Sequence, residues 1–478
     1  MAANTTGATN VAVGKGALAA NTTASNNTAI GYNAMLANTT GAANVAVGLG
    51  ALDANTTGEQ NVAIGNYALS ANTTALFNVA IGNNSLDANT TGANNVGIGK
   101  DALGANTTGG QNTAVGRDAL GANTTSQYNT AVGYAALDAN TTGDGYNTAI
   151  GWNSMTANTT GNVQVAVGAN SMQANTTGSQ NTSVGGNSLY ANTTGSNNVA
   201  IGHNALDANT TASNNTAVGK DALTANTTGA YNTSVGTASL TDNTTGEHNV
   251  SFGADSLGNN TTGAENVAVG SSALYANTTA SYNTAVGRQA GDAVTTGNHN
   301  VMIGYVAGTS AVDITTGTQN VCVGNHTHTS TTGATAQIVL GYNAVGSADS
   351  SLTFGLHGTD SAIAFGATSV TAPSDVRLKE DIQDEKIGLD FITDLRPVTF
   401  RWKKAKDVPS EMEVHDADSD ERVMNGKYNH GFIAQEVKEV IDRHDLKDGF
   451  DMWTEDEVDG RQRIGEASLM PMMVKAVQ

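Results

Sequence analysis

Two histidines, His326 and His328, have a type and spacing that could bind a metal ion. One residue separates them, so an extended backbone would place both imidazole rings on the same side of the chain. A buried imidazole needs a polar or metal partner. If three chains met on an axis at this point, six imidazoles could bind one first-row transition metal ion. Polar turn residues are the alternative interpretation of the pair.

The histidine pair lies near the end of a 17-residue repeat that fills most of the chain. A five-residue unit, N-[VT]-[AS]-[VI]-G in most copies, occurs twenty times, and only the steps into Asn147 and Asn320 differ, at 18 and 20 residues. The full consensus is N-V-A-V-G-x-x-A-L-x-A-N-T-T-G-x-x. Aligning Gly324 with the repeat glycine places His328 where the repeat has an inward leucine.

The repeat predicts a mainly β fold, a β-solenoid with one coil per repeat. In the copy at 44–48, Val45 and Val47 share one face of an extended segment and Ala46 lies on the other, which is the two-residue period of a strand. Gly48 and the Asn-Thr-Thr-Gly segment predict turns. A unit with two or three inward apolar residues cannot bury them alone, so the copies must stack. At ~4.8 Å between strands, the copies would form a rod on the order of 95 Å long.

The core of such a solenoid is expected to be thin, because each coil contributes only small residues such as Val, Ile, Ala and Leu. We therefore expect several chains to pack side by side or to intertwine, with a homotrimer as the favoured assembly. Stacked asparagine and threonine ladders would line the outside. Aromatic residues at the variable position before the repeat asparagine are candidate surface contacts or solvated turn residues: Phe77, Tyr128, Tyr146, Tyr231 and Tyr282.

The charge of the chain excludes several classes of partner. The formal net charge is −21, divided as −12 over residues 1–373 and −9 over the remainder. Neither part has the basic surplus that phosphate groups require, so we expect no nucleic-acid partner. No apolar run approaches the ~20 residues of a spanning helix, and the start lacks an export signal, so we predict no membrane insertion. Cys322 is the single cysteine and cannot form an intrachain disulfide.

The composition changes sharply at Pro373 and Ser374. The chain before Pro373 contains no proline, whereas the part from Ser374 onward is rich in charged residues. We divide the chain into a solenoid shaft at 1–341, a β-rich transition segment at 342–373 and a small α+β domain at 374–478. Within the last domain the sequence predicts a strand at 398–402, a polar loop at 405–426, a polar turn region at 451–460 and helices at 374–386, 387–395, 429–440 and 469–477.

Four motifs in the last domain carry a family resemblance. They are S-D-V-R-L-K, L-R-P-V-T-F-R-W-K, G-F-I-A-Q-E-V and L-M-P-M-M-V-K-A-V, in this order over about 100 residues. Together they resemble the C-terminal intramolecular chaperone auto-processing domain of phage tail fibres and tailspikes. The resemblance implies a domain that brings three chains into register, folds the fibre ahead of it and then cuts itself off. His430 and Glu436, in or beside the third motif, are candidates to assist, without an assigned role.

The same resemblance implies a Ser-Lys dyad, with Ser374 as nucleophile, Lys379 as general base and Pro373-Ser374 as the scissile bond. A lysine acts as a base when burial lowers its pKa, whereas the neighbouring Glu380 and Asp381 would favour its charged form. A five-residue separation places the two side chains on different faces of an ideal helix. Either the helix is distorted or the lysine of one chain serves the serine of another, which we favour. The alternative is that Ser374 only caps a helix and Lys379 is solvated.

The G-x-H-x-H segment around His326 and His328 also resembles the metal-binding motif at the tips of some phage long tail fibres. That resemblance implies an iron ion on the trimer axis, while the cleavage itself would need no cofactor.

The whole chain is thus predicted to be a homotrimeric phage tail fibre. It would be made in the host cytoplasm and built into the virion, in contact with other virion tail proteins. Its partner on the host would be a bacterial surface receptor, a glycan or a protein. The alternative is a repeat adhesin or an ice-binding surface protein that uses the same chaperone domain.

Overall fold

The computed structural model describes the chain apart from residues 1–2, 144, 310, 357–358, 368–369, 372–375, 377–378, 381, 386, 411, 413–414, 425, 447–451, 456–461 and 466–468. The chain divides into two compact units, Met1–Pro373 and Ser374–Gln478. No helix among the described residues combines the length and the apolar character that crossing a membrane requires.

The first unit is a β-solenoid, as predicted, and it is built mostly from three-residue strands. Each strand is one copy of the V-A-V segment, and the last three strands are longer. The strands are β1 Val11–Val13, β2 Thr28–Ile30, β3 Val45–Val47, β4 Val62–Ile64, β5 Val79–Ile81, β6 Val96–Ile98, β7 Thr113–Val115, β8 Thr130–Val132, β9 Thr148–Ile150, β10 Val165–Val167, β11 Thr182–Val184, β12 Val199–Ile201, β13 Thr216–Val218, β14 Thr233–Val235, β15 Val250–Phe252, β16 Val267–Val269, β17 Thr284–Val286, β18 Val301–Ile303, β19 Val321–Val323, β20 Gln337–Tyr342, β21 Ser351–Leu356 and β22 Ser361–Ala364.

Each strand pairs in parallel with the equivalent strand of the next coil. Val199 lies opposite Thr216 and Ala200 lies opposite Ala217, an offset of one repeat. The same register runs from β1 to β20, and the solenoid closes with parallel β20–β21 and antiparallel β21–β22 pairs. In the single chain, each coil is therefore formed by consecutive residues of that chain.

The core of each coil consists of alanines and one larger apolar residue. In the coil of β12, Ala200, Ala205 and Leu206 are fully buried, whereas Val199 is half-buried and Ile201 is exposed. The middle residue of the strand thus points inward, and the residues on either side of it point outward. Because these inner residues are already shielded from water in a single chain, the inner core does not depend on other chains for its burial.

The asparagine ladders lie inside the solenoid, so the prediction that they line the outside is wrong. Asn209 donates through Nδ2 to Asn192 Oδ1 at 2.9 Å and to the Ala212 carbonyl at 3.1 Å, and the asparagines of this row from Asn21 to Asn277 are buried. In a second row, the Asn215 backbone N–H donates to Asn198 Oδ1 at 3.0 Å. Turn carbonyls and N–H groups that face inward need partners, and an amide side chain supplies both a donor and an acceptor.

The threonines of the Asn-Thr-Thr segment lie towards the surface, as predicted. Thr210 donates through its hydroxyl to the Thr227 carbonyl of the next coil at 3.2 Å, and it is half-buried. Thr211 is exposed. The two adjacent threonines therefore differ, since only the second has an exposed side chain.

The two irregular steps are accommodated without breaking the asparagine rows. The 18-residue step contains Gly143 and Gly145, whose φ angles are +114° and +77°, in a turn before Asn147. The Asn147 N–H still donates to Asn129 Oδ1 at 3.2 Å. After the 20-residue step, the Asn320 N–H donates to Asn300 Oδ1 at 3.0 Å. Extra residues therefore enter the turns and leave the ladders aligned.

The second unit combines short helices and hairpins around one small core. Helix α1 and helix α3 contact each other, and β23–β24 and β25–β26 are antiparallel pairs. The elements are α1 Leu389–Asp394, β23 Val398–Phe400, a 3₁₀ turn Ala405–Asp407, β24 Asn429–Gly431, α2 Ala434–Arg443, β25 Trp453–Glu455, β26 Gln462–Ile464 and α3 Leu469–Val477. The buried core consists of Phe391, Leu395, Val437, Val440, Ile441, Met452, Leu469 and Met472.

The predicted elements of this unit are confirmed in part. The last helix has the predicted bounds, and the 387–395 helix is present in shorter form as α1. The strand at 398–402 is present as β23. The helix predicted at 429–440 is displaced, because its first residues form β24 against β23 and the helix begins only at Ala434.

Two predictions in this unit are wrong. Residues 379–380 and 382–385 are not helical, although a helix was predicted over 374–386. Ile382 and Val376 are each 66% exposed, so the described residues of this segment bury no apolar face, and burial of such a face is the main source of helix stability in proteins. The region at 451–460 was predicted as a polar turn, but residues 453–455 form strand β25, which pairs with β26.

Candidate processing site and histidine pair

The predicted scissile bond lies where the two compact units meet. The first unit ends at Pro373 and the second begins at Ser374. Both residues lie outside the described part of the chain, so the separation between Ser374 and Lys379 stays a prediction. The backbone N–H of Lys379 donates to the Val376 carbonyl at 3.1 Å. The Lys379 side chain is exposed in the single chain, whereas a lysine that acts as a base needs a desolvated position.

An ion pair joins the second and third motifs. Arg396, next to Pro397, donates through Nε to Glu436 Oε2 at 2.9 Å and through Nη2 to the other carboxylate oxygen. The hydrogen bond from Arg396 lowers the pKa of Glu436. Glu436 is therefore held as a carboxylate in a two-point contact, which connects the segment between α1 and β23 to the first turn of α2.

His430 lies on β24, directly opposite Thr399 on β23. The Thr399 hydroxyl and His430 Nδ1 are 3.3 Å apart, and the imidazole is exposed. The pair borders a shallow hollow formed by Pro397, Val398, Thr399, His430, Gly431 and Phe432. His430 thus stabilises a two-stranded pair at the surface of the unit.

A second set of contacts joins the ends of α1 and α2. Asp394 accepts hydrogen bonds from His444 Nε2 at 3.0 Å and from Arg443 Nη1 at 3.1 Å. The His444 contact, followed by Arg443, lowers the pKa of Asp394. The His444 ring also packs edge-on against buried Phe391, with ring centroids 5.4 Å apart. Sequence reasoning missed these contacts, because no local pattern links residues about fifty positions apart.

Residues 374–446 match the family model for the chaperone of endosialidase. The matched residues all lie in the C-terminal unit, which is therefore similar to this family over its first 73 residues. The family consists of self-cleaving chaperone domains, which agrees with the predicted auto-processing unit. The matched segment follows a solenoid of about twenty coils. No curated protein sequence and no solved structure matches the chain.

The two histidines differ in burial and in backbone conformation. His328 occupies the leucine position, as predicted, and is buried, with Nδ1 3.0 Å from the Thr329 carbonyl. His326 has φ +56°, is half-buried and packs against the edge of Tyr305, with centroids 5.2 Å apart. The expectation of an extended backbone is wrong here, because His326 lies in a turn, and strand alternation does not fix its direction.

The described residues of one chain contain no group of three or more His, Cys, Asp or Glu side chains that could hold a metal ion. The six-imidazole site concerns three chains and stays a prediction. Cys322 is buried inside the solenoid, and this burial raises its pKa to about 12, so a reactive thiolate is disfavoured.

The aromatic residues before the repeat asparagine are exposed, as predicted. Tyr128 and Tyr146 stack with ring centroids 4.8 Å apart and an angle of 8° between their planes. Tyr231 stacks in the same way on His248 at 4.9 Å. Because each ring covers a face of the ring on the next coil, these pairs stabilise coil stacking, and their role as contact residues for a partner stays a prediction.

Proposed function

We propose that the chain is a homotrimeric phage tail fibre whose C-terminal domain aligns three chains, folds the solenoid shaft and then cuts itself off before Ser374. One observation carries this proposal. The match to the chaperone of endosialidase begins at residue 374, which is also the first residue of the second compact unit. A cut at this bond would separate the shaft from the whole domain without dividing either one.

The proposed reaction is a single turnover on the chain itself. Lys379 removes the proton from the Ser374 hydroxyl, and the oxygen attacks the carbonyl carbon of Pro373. The peptide C–N bond breaks, the Ser374 amine takes up the proton, and an ester joins Pro373 to the serine oxygen. Water then hydrolyses the ester, which leaves a carboxylate on Pro373 and restores the hydroxyl of Ser374.

We further propose that the lysine acts on the serine of a neighbouring chain. Lys379 is exposed in one chain, and a second chain that covered it would supply the desolvation that a lysine base requires. Cleavage would then wait until the chains have assembled. This order is useful, because a domain that left early could not align the shaft.

Mass spectrometry of the purified full-length protein tests the cut. We expect the wild type to give two pieces that meet at Ser374, and Ser374→Ala and Lys379→Met to stay whole. Lys403→Met, which replaces another exposed lysine of the same unit, is the matched control and should be cleaved like the wild type. A wild-type protein that is trimeric and intact would contradict the proposal.

Co-expression of two inactive variants tests the neighbouring-chain mechanism. In mixed trimers, Lys379→Met chains keep the serine and Ser374→Ala chains keep the lysine. If the lysine acts between chains, the Lys379→Met chains are cleaved in the mixture and not when expressed alone. If both chains stay whole in mixed trimers while the wild type is cleaved, the lysine acts within its own chain.

The part of the proposal that concerns the host rests on the family resemblance. The shaft would lie in the virion beside other tail proteins and contact a bacterial surface glycan or protein. The exposed second threonine, such as Thr211, recurs along the shaft and supports the alternative of an ice-binding surface. Binding of the purified shaft to bacterial envelopes, compared with inhibition of ice recrystallisation, separates the two. Metal analysis of the assembled protein, with His328→Leu as control, tests the proposed iron ion at His326 and His328.

A further inference from the structure

The outer face of the solenoid sheet carries two rows of side chains. The first row is formed by the first residue of each strand from β1 to β19. The third row is formed by the third residue of each strand, because the second residue points into the core. Twelve of the nineteen third-row residues are exposed in one chain, for example Ile201 at 40% and Phe252 at 42%, and the other seven, including Val218, are half-buried. A row of apolar side chains, exposed in most coils, therefore runs along the shaft.

The two rows differ in a way that strand propensity does not explain. The first row has valine in eleven strands and threonine in eight, whereas the third row has valine in eleven, isoleucine in seven and phenylalanine in one. Threonine and valine have the same shape, and both favour strands. Threonine occurs at eight positions of the first row and at none of the nineteen positions of the third row. The third row therefore excludes hydroxyl groups. Such a preference fits a surface that is covered in the assembled protein.

Varied residues border the third row on one side, at the position after the glycine that follows each strand. They include Lys100, Arg117 and Lys220, whose side chains are 55%, 59% and 66% exposed, and also apolar residues such as Leu49 and Trp152. Apolar side chains in the middle and charged side chains at the edge are the arrangement of a protein interface. The solenoid thus keeps its charges beside the third row and out of it.

We propose that the third row is the interface through which copies of this chain pack side by side along the shaft. A second copy is the occupant that fits, because it has the same spacing of ~4.8 Å per coil and stays in step with the row over its whole length. With nineteen strands about 10 Å wide, the whole outer face of the sheet, of which the third row is one of two rows, spans on the order of 900 Å² per chain. A stable interface of ~800 Å² per partner would therefore extend from the third row onto neighbouring side chains.

The charge of the shaft also favours an apolar contact between copies. Residues 1–373 carry a net charge of −12 with five basic residues, so two copies repel each other overall, and a contact face without charges avoids adding close repulsion between carboxylates. That the number of copies is three rests on the proposed function, whereas the position of the interface rests on the third row alone.

Site-specific cross-linking in the full-length protein tests the position of the interface. Val218→Cys places a thiol in the third row, and Thr228→Cys places one at an exposed turn of the same coil. Both are made in a Cys322→Ala background, since alanine is the usual residue at that position of the repeat. With a short bis-maleimide, we expect at least tenfold more cross-linked product from Val218→Cys. Equal or greater cross-linking from Thr228→Cys would overturn the proposal.

A substitution pair tests the role of the hydroxyl group. Ile201→Thr, Val218→Thr and Val235→Thr together introduce three hydroxyls into the third row, and Val199→Thr, Val250→Thr and Val267→Thr introduce three into the first row. Sedimentation equilibrium should show at least tenfold weaker association for the third-row variant and little change for the first-row control, with circular dichroism confirming that both are folded. Equal effects of the two variants, or a wild type that stays monomeric, would overturn the proposal.

These outcomes are independent of the proposed function. Cleavage before Ser374 is read by mass spectrometry, and association through the third row is read by cross-linking. A protein that is cleaved but cross-links elsewhere disproves the interface alone. A protein that cross-links through the third row but is never cleaved disproves the auto-processing alone.

Discussion

The solenoid shaft and the C-terminal unit are stabilised in different ways. In the shaft, main-chain ladders and buried asparagine rows repeat from coil to coil, and none of the described Asp, Glu, Lys and Arg side chains lies in the apolar core. In the C-terminal unit, eight buried apolar residues form one core, and ion pairs such as Arg396–Glu436 and Asp394–Arg443 lie at the surface. The shaft therefore depends on identical contacts made many times, and the C-terminal unit on different contacts made once.

This difference concerns alignment between chains. Two shafts that are displaced by one coil still present the same rows to each other, so the contacts between repeats distinguish the correct alignment weakly. The contacts of the C-terminal unit are not repeated, and they can form in one arrangement only. A unit with unique contacts at the end of a repetitive shaft is suited to set the alignment.

The largest expected effect is in the shaft, at the glycine that ends each strand. Gly185 has φ +141°, and a Cβ there would lie 2.4 Å from the Gly202 carbonyl oxygen of the next coil. Gly185→Ala should lower the free energy of unfolding of the shaft by at least ~4 kcal/mol, because the backbone strain and the collision add together. The measurement is thermal and denaturant unfolding followed by circular dichroism.

The adjacent Gly186 provides a matched control. A Cβ there would meet the His203 ring at 3.5 Å, which is an ordinary contact. Gly186→Ala should change the stability by no more than ~0.5 kcal/mol. Similar destabilisation by both substitutions would show that the close approach of neighbouring coils is not what limits the residue at position 185.

An intermediate effect is expected from breaking an asparagine row. Asn209→Leu keeps a similar volume but removes the donor to Asn192 Oδ1, at 2.9 Å, and one of the two acceptors of the Asn226 Nδ2 group, at 3.1 Å. The Ala212 carbonyl keeps the Asn198 side chain as a donor, so one buried oxygen loses its partner and we expect a loss of about 1–3 kcal/mol. Thr211→Val, at the exposed turn of the same coil, is the control and should be nearly neutral. A neutral Asn209→Leu would mean that the buried row is not required for stability.

The smallest effect is a pH dependence of opposite sign in the two units. In the C-terminal unit, hydrogen bonds lower three carboxyl pKa values: those of Asp394 by His444 and of Glu436 by Arg396, and that of Asp420, by Lys404 and then Lys406, to about 2. The folded unit binds these protons less tightly than the unfolded chain, so it should lose stability as the pH falls from about 4.5 towards 2.

The shaft should respond in the other direction. Partial burial raises the pKa of five carboxyls, whereas hydrogen bonds lower the pKa of two, Asp221 and Asp349. Because the raised values outnumber the lowered ones, the folded shaft should bind protons more tightly and gain stability as the pH falls from neutral towards 3.8. The five are Asp53, Asp87, Asp138, Asp207 and Asp292. Unfolding of the shaft and of the C-terminal unit, followed separately between pH 7 and pH 3, checks the prediction. Asp138→Asn should reduce the gain of the shaft, and the same pH response in both units would contradict this difference.

The sequence predicts a feature well where it depends on repetition or on a long periodic pattern. The 17-residue period predicts the solenoid and its turns, and the apolar spacing predicts α3 with its bounds. The direction of the asparagines was predicted wrongly, because a polar residue usually indicates a surface, whereas here the turn carbonyls need buried amide partners. The helix at 374–386 was also wrong, since a helix-start signal is weak without an apolar face to bury.

The candidate site could be predicted only in part from the sequence. The motifs around Ser374 and Glu436 identify the domain, but the pairing of Arg396 with Glu436 and of Asp394 with His444 depends on contacts about forty and fifty residues apart. No local pattern encodes such distances. His326 was misplaced for a local reason, since a positive φ within a turn changes the direction of a side chain that strand alternation would have fixed.

The two long turns, before Asn147 and before Asn320, mark fixed positions along the otherwise uniform shaft. They lie ten coils apart, and the steps between them are all of 17 residues. A polymer of identical coils has translational symmetry, so every displacement by one coil is equivalent. Two longer turns remove that symmetry. In a neighbouring chain displaced by one coil, each long turn would lie beside an ordinary turn of the first chain. An error of one coil between chains would therefore leave a mismatch at each of these turns.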